Sequence, residues 1–281
     1  AEPGVLFWDT IIRESVPDCY ADEGFRTVST NPCGEIPLCP YDSCRLLALN
    51  LLSYVDNPFT KEATFNFERF KSHVAKAMHL MDDIIDLELE KVELIINKIA
   101  SDPEDDDVRR VELELWKKIK DMALKGRRTG LGITAEGDML AALGLRYGSD
   151  EAVDFAVNVH KTLAVEAYRA SVMMAKERGA FGVYNFEKEQ GNPMIERICE
   201  AAPELRDLMK QYGRRNIAML TIAPTGTTSL MSQTTSGIEP VFRPVYKRRR
   251  KINPSDKDQV ASFVDETGEK AYRREIRIGR Q

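Results

Sequence analysis

Histidine is scarce in this chain of 281 residues, which has only His73, His79 and His160. His73 and His79 are six positions apart, so they do not share a helix face as an i, i+4 metal pair would, and His160 lies in an amphipathic stretch. All three read as structural or surface residues, and no metal-ligand set is expected. Cysteine is little commoner. Cys19, Cys33, Cys39, Cys44 and Cys199 form an odd set of five with no Cys-x-x-Cys pair. The steps from Cys33 to Cys39 to Cys44 are poor zinc spacing, and no histidine lies nearby. Spread over a chain this long, the five do not resemble a secreted disulfide framework; a reducing cytoplasm with one or two chemically active thiols suits them better. A thiol peptidase or transferase would need a histidine base, and none stands near these cysteines. No apolar run approaches the roughly 20 residues that cross a bilayer, and no basic-then-apolar leader opens the chain. The net charge of −5 gives no general reason to expect nucleic acid as a partner. The basic run Lys247–Lys251 reads as a solvated strand or loop, and the acidic run Glu104–Asp107 as a solvated helix start. There is no internal repeat and no low-complexity tract. The first residue is Ala1 rather than Met, which suggests a processed or excised piece.

What is present is the composition of a soluble globular protein, 43% hydrophobic and 30% charged, long enough to bury a substantial core. Gly4–Asp9 reads as a short buried segment leading into a turn, and residues 31–52 as an irregular loop followed by the apolar piece Leu46–Leu52. Helical periodicity runs from Phe67 to about Ala100, and a second helix from Pro103 to Leu124. Ser149 is placed to cap a third, with Ala156, Val159, Leu163, Ala167, Ala170 and Met174 on one face and Gly179 as its stop. A further helix is expected within 193–212. Ile217–Ala223 has the look of a buried strand, and Val241–Ile252 is expected to be extended. Helices dominating the middle with strands at intervals give an α/β, helix-rich architecture.

The chemistry concentrates in Asn31-Pro32-Cys33-Gly34-Glu35-Ile36-Pro37-Leu38. In an extended segment alternate side chains share a face, so Asn31, Cys33 and Glu35 would present an amide, a sulfur and a base together. Pro32 and Gly34 suit an exposed turn or finger better than a core strand. Cys44 could return to the first sulfur and form a disulfide if the loop folds back. A second candidate is Pro224-Thr225-Gly226-Thr227-Thr228-Ser229 after the expected buried strand, where successive backbone N–H groups and hydroxyls could hold an anion. It is not a Walker loop, because the Gly-Lys-Ser/Thr ending is missing. Arg127-Arg128-Thr129-Gly130-Leu131-Gly132 could also meet an anion, and an ordinary structural reading is about as good.

The segment Asn31–Leu38 resembles the active-site finger of ribonucleotide reductases, most closely the adenosylcobalamin-dependent class. Cys44, within Pro40-Tyr41-Asp42-Ser43-Cys44, sits where that class keeps a second redox cysteine. The Arg127–Gly132 run resembles a core motif of the family, and Ala223–Ser229 its substrate-phosphate loop; all occur in the family's order. The resemblance implies a single, incomplete catalytic barrel domain over residues 1–281, part of a ten-stranded α/β barrel. It implies reduction of a ribonucleoside diphosphate, or triphosphate, to the 2′-deoxyribonucleotide for DNA synthesis. Cys33 would carry a thiyl radical, Glu35 would be the general base on the 3′-hydroxyl, Asn31 would hold the ribose, and Cys44 would supply one reducing thiol. Residues Pro224–Ser229 would hold the phosphates.

Adenosylcobalamin is the implied cofactor, with a diiron or dimanganese partner subunit as the rival radical source. An external dithiol such as thioredoxin would be the reductant. The remainder of the reductase chain is an implied partner, and a homodimer is compatible; the location is cytoplasmic. The effector region, the first half of the barrel and the C-terminal cysteine pair of the family are expected outside this chain, so it is not expected to turn over ribonucleotides alone. Cys39 has no assigned role, and Cys19 and Cys199 read as structural. The alternative is a noncatalytic helical interaction fragment or a structural part of a split reductase. If Cys33 and the Thr225 loop converge on one pocket, the enzyme is favoured.

Overall fold

The computed structural model describes residues 4–243 and the strands at 245–251, 263–264 and 270–277. The chain divides into two compact units, Ala1–Ile238 and Glu239–Gln281.

The first unit opens with α1 (Trp8–Glu14) and a 3-10 turn at Pro17–Glu23. The Gly4–Asp9 stretch is not buried as expected: Val5, Leu6 and Phe7 are exposed, and Trp8 starts the helix. A hairpin follows, β1 (Ser29–Thr30) paired antiparallel with β2 (Pro37–Leu38). Next come β3 (Leu46–Asn50), a 3-10 turn at Leu51–Tyr54, and the small antiparallel pair β4 (Val55–Asp56) and β5 (Thr64–Phe65).

Helix α2 (Phe67–Ala100) starts where the Asn66 side chain accepts a hydrogen bond from the Arg69 N–H at 3.0 Å, satisfying one of the helix's orphan donors. Its stripe of Phe70, Val74, Ala77, Met78, Met81 and Ile85 is buried. Helix α3 (Asp106–Gly126) returns beside it and delivers the chain to β6 (Gly130–Thr134). This pair of helices is the crossover that a parallel pairing needs: β6 lies parallel to β3, with Leu46 opposite Gly130 and Asn50 opposite Thr134. Every residue of β6 is buried, which explains its unbroken run of small and apolar side chains.

After the short α4 (Glu136–Ala142), α5 (Asp150–Arg178) is capped by the Ser149 hydroxyl, which accepts from Ala152 N–H, and it ends at Gly179 with φ +85°. Its buried face joins α2, β3 and β6 in the main core. After α6 (Phe186–Glu189), the one helix expected within 193–212 is two, α7 (Pro193–Ala201) and α8 (Glu204–Tyr212), parted at Ala202-Pro203 because proline lacks the N–H that a continuous helix needs.

The expected strand Ile217–Ala223 is extended and lies along β6, but it registers as a single parallel bridge, Leu131 to Leu220. Its bonds are Thr129 N–H to Ala218 O, Leu131 N–H to Met219 O and Thr221 N–H to Leu131 O. Together β3, β6 and this segment lie side by side as parallel stretches. Helix α9 (Gly226–Ser232) follows at once. The second unit holds β7 (Val245–Lys251), β8 (Phe263–Val264) and β9 (Lys270–Arg277), antiparallel in the order β7-β9-β8. Among the described residues, no helix is long and apolar enough to cross a membrane.

Candidate active site

Asn31, Cys33 and Glu35 do not share a face. Residues 32–35 form the tight turn between β1 and β2 rather than a strand, so the alternation that would align them is absent. The backbone closes on itself at the tip. Gly34 N–H donates to Asn31 O, Asn31 N–H donates to Ile36 O at 3.1 Å, and Gly34 takes φ +83°, a conformation that glycine adopts without strain. The Asn31 side chain is spent on this turn, its Oδ1 accepting from Ile36 N–H at 3.0 Å. Cys33 is left exposed at the tip, and a Cβ placed on Gly34 would meet nothing within 4 Å.

Glu35 turns the other way. It lines a cavity of about 400 Å³ together with Cys44, Arg128, Thr129, Tyr168 and Thr221. Its Oε2 is buried without a hydrogen-bond partner among the described residues. Its carbonyl is held by the Thr221 hydroxyl at 3.2 Å, which ties the hairpin to the segment bridged to β6. Cys33, Asn31 and the Pro224–Ser229 loop are not among the cavity's lining residues. The structure therefore brings Glu35 and Cys44 together and leaves the Cys33 thiol outside the cavity wall.

Cys44 sits just before β3 with its sulfur over Gly130, where a Cβ would collide with it and would stand 2.9 Å from the Thr221 methyl carbon. Burial pushes the Cys44 thiol up to about 11; Arg128 pulls against that shift and Asp42 adds to it. Arg128 and Asp42 form a buried ion pair, Nε to Oδ2 at 2.5 Å. The Cys39 thiol donates to the same Asp42 oxygen at 3.4 Å and is pushed up to about 12, by burial first and then by that carboxylate. All five cysteines are free thiols, so no Cys33–Cys44 disulfide is present.

The glycines of the Arg127–Gly132 run are set by close approach. Gly132 lies against the Thr221 carbonyl and Gly130 against Cys44, while the Arg127 Nε donates to buried Asp82 at 2.8 Å. The run thus seats the parallel strand and the cavity wall.

The Pro224–Ser229 loop leaves the C-terminal end of the segment along β6. Thr225 takes φ +52°, and its hydroxyl pairs with the Thr134 hydroxyl at 2.9 Å and accepts from Gly237 N–H. The buried Ser229 hydroxyl donates to Gly226 O. Those two hydroxyls, expected to reach an anion, hold the loop together instead. Thr227 and Thr228 are exposed, and the space beside Gly226 is open. Finger and loop are thus moored to one stretch of chain, the finger at Thr221 and the loop at Thr225.

Sequence reasoning did not pick out Thr221 or the Arg128–Asp42 pair. Asp42 and Arg128 stood inside quoted motifs as opposite charges beside a cysteine and a glycine, a signal that could have paired them. Nothing in the sequence marked Thr221 as the finger's anchor. Among the described residues, no group of three or more His, Cys, Asp and Glu side chains is placed to hold a metal.

A parallel α/β framework with a thiol-tipped hairpin moored against its strands defines a cysteine-bearing barrel domain. The chain matches the family described as "Ribonucleotide reductase, barrel domain" over residues 1–275. It belongs to the ribonucleotide reductases. It is 32% identical over 248 residues to the vitamin B12-dependent ribonucleoside-diphosphate reductase of Mycobacterium tuberculosis (strain CDC 1551 / Oshkosh), covering 88% of this chain and 28% of that protein. A reductase of the same name from Thermoplasma acidophilum is 33% identical over 251 residues, covering 88% and 26%. Among solved structures, the class Id ribonucleotide reductase alpha subunit of Actinobacillus ureae superposes with TM-score 0.57 at 22% identity, over 85% of this chain and 36% of that one, a likeness of fold. The chain thus spans little more than a quarter of the curated relatives' length.

Proposed function

We propose that this chain carries the finger half of a ribonucleotide-reducing site, within a larger catalytic subunit that converts a ribonucleoside diphosphate to its 2′-deoxy form. The observation that supports this best is the shared cavity: Glu35, rooted on the finger, and Cys44, rooted on β3, line the same space. At about 400 Å³ it has the size of a pocket for a small organic ligand.

In this mechanism Cys33, as a thiyl radical, takes the hydrogen from C3′ of the ribose. Glu35 holds the 3′-hydroxyl proton; its unpartnered, buried Oε2 is an acceptor awaiting such a donor. The 2′-hydroxyl leaves as water. Cys44 and a second thiol from the remainder of the subunit give two electrons and two protons and become a disulfide. The hydrogen held by Cys33 returns to C3′, which restores the radical. The exposed Thr227 and Thr228 and the backbone of Pro224–Ser229 face the substrate's phosphates. Asn31 acts by fixing the turn that presents Cys33, since its Oδ1 is engaged by Ile36 N–H. An external dithiol of the thioredoxin kind resets the disulfide, in a cytoplasmic setting, and a second copy of the subunit is the assembly partner.

The relatives' vitamin B12-dependent names support a cobalamin, and adenosylcobalamin is the radical source in this reading. Such a group fits at the finger rather than in the cavity. The Cys33 thiol is exposed with open space beside Gly34, whereas the cavity is too small for a corrin ring with its nucleotide tail. Holding it falls to the remainder of the subunit; the residues here present the thiol. When bound, the group supplies one-electron chemistry that is passed to sulfur.

The test is the complete reductase carrying Cys33→Ser or Glu35→Gln, assayed with cobalamin, a dithiol and a ribonucleoside diphosphate. Cys33→Ser should abolish deoxynucleotide formation, and Glu35→Gln should lower it by roughly 10²–10⁴-fold. Retained turnover in Cys33→Ser would end the proposal.

A further inference from the structure

Arg128 is a residue for which the mechanism above has no use, yet it stands in the wall of the same cavity. Its side chain is only 6% exposed, and Nε is committed to Asp42. Its backbone carbonyl accepts from Arg45 Nη1 at 3.0 Å, which fixes the start of the chain's approach to Gly130. Its Nη2 is buried with no hydrogen-bond partner. A buried cationic donor with an unused N–H is costly unless something nearby uses it. Two candidates line the cavity with it: the unpartnered Oε2 of Glu35, and Cys44, whose sulfur lies over Gly130 two positions along from Arg128.

We propose that Arg128 is a positioning residue for the reducing thiol, steadying negative charge on Cys44 when that thiol gives up its proton at the cavity wall, with Asp42 as the brake that holds the guanidinium in place. The proposal deepens the reaction assigned above and rests on Cys44 being its redox thiol. The charged groups bearing on Cys44 come from each neighbouring element. Glu35 belongs to the finger, Asp42 and Arg45 to its own segment, and Arg128 to the approach to β6. Glu14, from α1, also lines the cavity, and Glu88, from α2, takes up Arg45 at 2.5 Å. Glu35 and Asp42 therefore oppose ionisation of the thiol, Glu88 neutralises Arg45, and Arg128 is the cation beside Cys44 with a donor to spare.

The experiment measures alkylation of Cys44 by iodoacetamide in the full chain against pH, with the modified site read by peptide mass spectrometry. Wild type is compared with Arg128→Met, Arg128→Lys and Asp42→Asn. If Arg128 supports the thiolate, Arg128→Met moves the alkylation midpoint up by about one pH unit or more and slows the reaction roughly tenfold below that midpoint. Arg128→Lys, which keeps the charge, recovers part of the loss. Asp42→Asn shifts the midpoint the other way. A merely structural role predicts the opposite sign for Arg128→Met, because a loosened wall exposes the sulfur and speeds alkylation. An unchanged or lowered midpoint in Arg128→Met overturns the proposal. If that variant does not fold, an unchanged or raised midpoint in Asp42→Asn overturns it instead. This readout involves no ribonucleotide, so its failure is distinct from loss of the proposed reaction, which the Cys33→Ser assay reads.

Discussion

Gly132 offers a sharp test of how the finger is moored. A methyl group there would run into the Thr221 carbonyl oxygen, with the carbonyl carbon at 3.2 Å and Ile222 Cα at 3.7 Å. All three atoms belong to backbone, so no rotamer change relieves the clash; the segment beside β6 must move away. That segment is held by the Leu131 N–H to Met219 O bond at 2.7 Å and the Thr221 N–H to Leu131 O bond at 3.0 Å. Losing one or both costs about 1 kcal/mol each, and overpacking a closed interior about 1–3 kcal/mol more. Gly132→Ala should therefore destabilise the chain by about 2–5 kcal/mol, a large share of an ordinary domain's stability. Gly4→Ala, where a Cβ meets nothing within 4 Å, is the control and should stay within about 0.5 kcal/mol of wild type. Urea unfolding followed by circular dichroism measures both. Thr221 also carries the finger through Glu35 O, so the Cys33 environment should shift in the variant even under conditions where it remains folded. A Gly132→Ala chain that unfolds within 1 kcal/mol of wild type would show that β6 and the 218–221 segment are not in this close register.

Three further outcomes are expected. Asp82 is fully buried; burial works to raise its carboxyl, but hydrogen bonds from Arg127 and Arg215 prevail and hold it below the usual carboxylate range. Its contribution is complete above the unfolded value of about 3.9 and disappears as the pH falls through the lowered folded value. Asp82→Asn should therefore cost about 3–5 kcal/mol at neutral pH and progressively less in acid, and an equal deficit at all pH values would count against the ion-pair account. Arg214, which is 0% exposed, is paired to Glu189 and lies over the rings of Tyr168, Phe181 and Tyr184 at 5.3–5.8 Å. Lysine has neither the fork nor the flat face, so Arg214→Lys should lower stability by several kcal/mol in a urea titration, and a neutral result would refute the cage. The Cys44 thiol, pushed up to about 11, should alkylate at pH 8 on the order of 100-fold more slowly than the same thiol in urea-unfolded chain. Equal rates would mean that the thiol is not buried in the wall.

The helices were legible because their signals are local. Ser149 is a capping side chain, Gly179 is a stop, and the apolar stripes repeat every three or four residues. The barrel strands were harder to read. Leu46–Asn50 could be seen only as an apolar piece, because a strand buried in a parallel sheet has no alternation to reveal it. Pro203 stands in the sequence inside the helix expected within 193–212, and it divides that stretch into α7 and α8. At the site, Pro32 and Gly34 correctly announced a turn, while the period-two argument for Asn31, Cys33 and Glu35 treated the same residues as a strand. Those two readings were incompatible, and the glycine decided between them: at φ +83° the chain reverses.

That reversal has a consequence for the chemistry. A strand would have put base and radical thiol side by side on a rigid face, with their separation fixed by the pleat. The hairpin instead anchors Glu35 deep, through Thr221, and offers Cys33 outward on a tip held by three hydrogen bonds around Asn31. The thiol's direction then depends on what closes over the tip, while the carboxylate's does not. In the Mycobacterium tuberculosis relative the match covers 28% of the protein, and in a subunit of that proportion such a division is physically sensible. Under the proposed reaction, the residue that would meet a large, separately held radical source is left adjustable, and the residue that would meet a small sugar is fixed. Replacing Asn31 by Ala removes the one side-chain bond of the turn, about 1 kcal/mol, without touching the Glu35 mooring. The expected result in the complete reductase is a fall in turnover with substrate affinity retained. Loss of affinity with turnover preserved would mean that Asn31 grips the ribose after all.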